Sequence, residues 1–147
     1  MLRQFLVGAG VSVCNIVLHA LVMMAVVRVA RRVAMRHPAH HTLLLISVMV
    51  ATVSVLMGAH AAEGIVWALI YGIVDAAPTG ADLVYFAFVN YTTLGYGDVM
   101  PVVRWQLLGP MTAMNGVLLF GWSTAVIFEV LRRTMASDRR VRQSGGK

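Results

Sequence analysis

Three apolar runs, residues 5–27, 42–74 and 106–131, set the terms on which this chain can fold. A helix rises 1.5 Å per residue, so about 20 residues cross a hydrocarbon core of ~30 Å. Each run is long enough. Within such a core the backbone must satisfy its own polar groups, and a single segment does so as a helix. The chain is 59% hydrophobic with a mean hydropathy of +0.78, whereas soluble domains are typically about 45–50% apolar. The expected fold class is therefore an all-α membrane protein with three transmembrane helices. The second run exceeds one perpendicular crossing. Gly58 and Gly64 are its only candidates for a hairpin and no proline is near them, so one tilted or protruding helix is expected.

Charge placement gives a topology. The formal net charge is +6, and the basic residues fall in two blocks, 28–36 and 132–147, with only Arg3 and Arg104 elsewhere. Both blocks directly follow apolar runs, the positive-inside pattern. They point to membrane orientation and to anionic lipid headgroups rather than to nucleic acid. A multi-pass protein of the plasma (inner) membrane is expected, with the N-terminus outside and the C-terminus cytoplasmic. The first run is longer than a signal-peptide core of about 7–15 residues and holds Asn15 and His19, so it reads as a span. Cys14 is the single cysteine, which excludes an intrachain disulfide. No catalytic constellation is legible, and an enzyme is not expected.

Between the second and third runs lies a segment too short to span. Residues 75–81 contain Pro78 and Gly80 and read as a turn; Thr79 and Asp82 have capping-box-like spacing. A short apolar helix follows over residues 80–91, and then Thr92, Thr93, Leu94, Gly95, Tyr96, Gly97 and Asp98. The charge rule places this region outside, where Asp75, Asp82 and Asp98 would raise the local cation concentration.

The run TTLGYGD resembles the selectivity filter of potassium channels. A dehydrated potassium ion needs about eight oxygens, as other large hard cations do, and no single loop of this size supplies them. The resemblance implies a homotetramer in which the carbonyls of Thr93, Leu94, Gly95 and Tyr96, with the Thr93 hydroxyl, hold K+ as the permeant ion; no cofactor is implied. It also implies a re-entrant pore helix before the extended filter, with Thr92, Gly97, Asp98 and Trp105 in support and Pro101 at the outer mouth. A row of inward carbonyls requires alternating backbone angles, and glycine takes the left-handed ones cheaply, at Gly95 and Gly97. Tyr96 is then expected to point away from the axis. Leu94 stands where many members have Val or Ile. Val89 stands where some carry a glutamate behind the filter. The two-helix pore module covers residues 42–133; residues 1–41 add a helix and a basic cytoplasmic loop, and 134–147 form a basic tail. The added helix is no voltage sensor, because its arginines cluster at one end.

Other residues are candidates for gating. His60 and Glu63 lie three apart in the second run, with Trp67 one turn on. An ionisable residue at membrane depth is a functional candidate; pairing between the two, or with a neighbouring subunit or interfacial water, is the structural alternative. Gly116 and Gly121 fall mid-span in the last run. The family resemblance suggests a hinge there, one place from Gly116, and close helix packing accounts for them equally well. Matching from the TTLGYGD run places Leu118, Gly121, Ala125 and Glu129 toward the axis, although Glu129 could instead pair with Arg132 or Arg133. Ser12, Asn15 and His19 share one face, which fits helix packing. His37, His40 and His41 fit a solvated loop better than a metal site or pH sensor. A weakly selective cation pore, or a non-conducting membrane subunit keeping a filter-like loop, are the alternatives to a potassium channel.

Overall fold

The computed structural model describes residues 1–36 and 41–144; His37, His40 and the His41 side chain lie outside the described residues. Among the described residues all regular structure is helical. There are three long helices, α1 (Leu2–Arg36), α2 (His41–Ile73) and α4 (Leu108–Ser144), and between α2 and α4 lie a nine-residue helix α3 (Leu83–Tyr91) and a 3-10 turn, Val103–Trp105. The stretches Leu2–Ala30, Leu45–Ile73 and Val103–Arg133 are each long and apolar enough to cross a membrane. Only 28%, 22% and 28% of their most apolar windows is buried within the chain. Most of that apolar surface is thus left for lipid or other chains, as in a multi-pass membrane protein.

The helices outrun the apolar runs. α1 continues through Arg28 and Arg32 to Arg36, so the expected basic loop over 28–41 is mostly helix. α4 likewise continues past Arg133 to Ser144. Arginine is a good helix former, and cations in a helix's last turns complement its dipole. α2 is one unbroken helix of 33 residues. It ends at Ile73: two residues on, Asp75 adopts a left-handed φ of 51° while the Ala76 amide donates to the Tyr71 carbonyl at 2.9 Å, a cap that stops the helix.

Packing divides the chain into two compact units: Met1–His19 with Ala59–Gly121, and Ala20–Gly58 with Trp122–Lys147. The first holds α3 and the TTLGYGD run around an aromatic core of Trp67, Tyr71, Phe86, Tyr91 and Trp105 with Leu108. Its helices approach through small residues: a Cβ at Gly64 would meet the Phe88 ring at 2.9 Å, so α3 seats its aromatic face on α2 there. The second unit is built on Met23, Val26, Ala30, Val48, Leu56, Val126 and Val130.

Candidate functional site

α3 delivers the TTLGYGD run. Asp82 is its N-cap: one carboxylate oxygen accepts from the Val84 amide at 2.9 Å and the Tyr85 amide at 3.0 Å. The expected Thr79–Asp82 capping box and helix start near residue 80 are therefore corrected. Gly80 has a φ of 84° and carries the turn, so the first residue able to cap is Asp82 itself. At the other end, Thr92 donates its hydroxyl to the Phe88 carbonyl at 2.7 Å. The Leu94 and Gly95 amides both donate to the Val89 carbonyl, at 2.9 and 3.3 Å. The helix end and the start of the run are thus one hydrogen-bonded unit.

Within the run the left-handed residues are Thr93, Gly95 and Gly97, with φ of 60°, 58° and 77°. They occupy every second position, and alternation of this kind turns successive peptide groups to one side of the chain. Gly95 and Gly97 were expected there; Thr93 was not. A β-branched residue in this region is an outlier and costs on the order of 1–3 kcal/mol. Only the parity of the two glycines could have revealed it. Thr92 through Asp98 are all exposed in the chain, Tyr96 by 68%.

The run is tied down at its far end. Tyr85 donates its hydroxyl to Asp98 at 2.7 Å, which returns the run to the first turn of α3; the Asp98 carboxylate holds the Tyr85 phenol above its usual range. Trp105 is buried, with the Arg3 guanidinium 5.2 Å from its ring centroid. The Gln4 side-chain oxygen accepts from the Leu107 amide at 2.9 Å. The N-terminal helix therefore braces the segment leading into α4.

Behind α3 lies a buried polar network. Glu63 has no exposed surface. Its oxygens meet His19 Nδ1 at 2.8 Å and His60 Nδ1 at 3.0 Å, and accept from the Tyr91 hydroxyl. Asn15 donates to the Glu63 carbonyl at 3.3 Å and to Asn115 Oδ1 at 3.1 Å; Trp67 also donates to Asn115 Oδ1 at 3.1 Å. His60 and Glu63 are brought together as their spacing suggested. His19, Asn15, Tyr91 and Asn115 were not identified as their partners. The shared face of Asn15 and His19 was the only signal, and periodicity does not say which helix that face meets.

The α4 candidates separate. Gly116 packs on the Tyr91 carbonyl, leaving no room for a Cβ, whereas Gly121 faces open space. Leu118, Gly121 and Ala125 are exposed in the chain. Glu129, in the second unit, pairs with Arg132 at 2.8 Å and with Arg133.

Comparison with known proteins agrees in class with this arrangement. The family model described as "Ion channel" matches residues 55–133, more than half of the chain. No curated protein and no solved structure matches.

Proposed function

Because this chain belongs to the ion-channel family, we propose that it is a potassium-selective channel, conducting K+ passively through a filter made by residues 93–96 of each of four identical chains. The observation that carries this reading is the alternation of left-handed backbone at Thr93, Gly95 and Gly97 within the sequence TTLGYGD. Backbone carbonyls arrayed this way replace a cation's hydration shell, and repulsion between ions in line lets them leave.

The tetramer follows from physical need. One run lacks the oxygens to surround a potassium ion. Exposed non-helical backbone at membrane depth is tolerated only where protein encloses it or water fills the site. The exposure of Thr92 through Asp98 in the single chain supports this reading, since neighbouring copies would cover what is bare, the Tyr96 ring included. The positive-inside rule then gives an outward-facing filter and a cytoplasmic C-terminus in the plasma (inner) membrane.

Bi-ionic reversal potentials of the reconstituted protein test selectivity. A strong preference for K+ over Na+ is expected; equal permeability overturns it. Mass measurement in detergent tests assembly, and a monomer or dimer ends the proposal.

A further inference from the structure

Glu63 is a carboxylate without exposed surface on a membrane-spanning helix, and its surroundings are those of a metal ligand. His19 Nδ1 lies 2.8 Å from one oxygen and His60 Nδ1 lies 3.0 Å from the other. The Tyr91 hydroxyl touches the second oxygen and lies 2.9 Å from His60 Nδ1. One donor atom each from His19, His60 and Glu63 fall within 4.8 Å of one another. Donors around a tetrahedral ion with bonds of ~2.0–2.1 Å stand about 3.3 Å apart, a separation inside this range.

We propose that His19, His60 and Glu63, with the Tyr91 hydroxyl as fourth donor, bind a divalent transition metal of the zinc type. The donor chemistry selects this class. Two imidazoles with a carboxylate suit zinc, cobalt, nickel and copper, whereas magnesium and calcium demand mostly oxygen donors. Charge agrees. A dication held by one carboxylate, one phenolate and two neutral imidazoles is a neutral site, which low-dielectric surroundings accept far more readily than a lone charge; the phenol proton leaves as the ion enters. The elements that carry the ligands are held in place: Asn15 donates to the Glu63 backbone carbonyl, and the His60 ring centroid lies 4.4 Å from that of Phe120. His60 offers the approach, since its side chain is 13% exposed.

The site needs α1 for His19, α2 for His60 and Glu63, and the last residue of α3 for Tyr91. It therefore gives the added N-terminal helix a role independent of which ion the pore passes.

Cobalt(II) titration of the purified full-length protein in detergent tests the site, because tetrahedral cobalt absorbs strongly in the visible range. One Co2+ per chain, displaced by Zn2+, is expected. His19→Gln and His60→Gln should each weaken binding by about tenfold or more, while the combined His37→Ala, His40→Ala and His41→Ala variant should bind as the parent does. Should the buried variants not fold, pulsed electron paramagnetic resonance of Cu2+ in the unmodified protein must show two coordinated imidazoles. No cobalt band, a band indifferent to His19→Gln and His60→Gln, a band lost in the triple variant, or a copper spectrum without paired imidazoles would each overturn the site. None of these readouts involves ion flux, so failure of the selective-channel reading leaves the test intact.

Discussion

Gly116 of α4 lies directly against the backbone carbonyl of Tyr91, the residue that ends α3 and precedes TTLGYGD. The contact couples the last membrane-spanning helix to the run with no side chain between them. Gly116→Ala should therefore destabilise by about 1–3 kcal/mol, the usual cost of overpacking, and reduce flux by displacing that carbonyl. Gly10 faces open space, so Gly10→Ala should leave thermal unfolding in detergent unchanged or slightly raised. Equal midpoints for parent and Gly116→Ala would refute the coupling.

Strain at the run gives a second test. Gly95→Ala places a Cβ where φ is 58°, at a cost of roughly 1–2 kcal/mol, and should abolish potassium flux into liposomes while the protein still inserts. Thr93→Gly should relieve backbone strain, yet still lower flux through loss of its hydroxyl. Flux undiminished in Gly95→Ala would remove TTLGYGD from the conduction path.

The buried network predicts an asymmetry between its members. Tyr91→Phe removes a hydrogen bond to the buried Glu63 carboxylate and the contact with His60 Nδ1, and should cost about 1.5–3 kcal/mol. Glu63→Ala removes the acceptor that His19, His60 and Tyr91 share, and losing one partner of a buried pair costs about 3–5 kcal/mol. Unfolding midpoints should fall in the order parent, Tyr91→Phe, Glu63→Ala. The reverse order would show that the tyrosine, not the carboxylate, organises the network.

Alkaline titration reports the tie between Tyr85 and Asp98. Asp98 favours the neutral phenol, so the Tyr85 pKa is raised in the folded chain. The bond's contribution is then complete below the phenol's ordinary pKa of about 10 and is lost as pH rises through the raised value. Asp98→Asn should bring the Tyr85 ionisation down, followed by phenolate absorbance against Tyr85→Phe as the blank. An unmoved titration would mean that the two groups do not interact in solution.

The helical spans were legible because their signal is additive. Length and apolarity over 20 or more residues outweigh any single side chain, so Gly58 and Gly64 could not break α2. Helix ends were less legible: arginine propagates helix beyond the apolar run, which carried α1 to Arg36. The cap of α3 shifted from Thr79 to Asp82 because a turn's backbone geometry, not residue spacing alone, decides which side chain reaches the free amides.

What the sequence settled alone was therefore what one segment can specify: three apolar helices, their charge asymmetry, and two glycines suited to left-handed backbone. Only the folded chain decided that Thr93 shares that conformation, that Gly116 abuts Tyr91, and that Glu63, beside His60 on its own helix, gathers His19 from α1 and Tyr91 from α3. The last two are contacts between residues as many as 44 positions apart. They depend on which helical faces meet, and that is set by the packing of all the helices together rather than by the periodicity of any one.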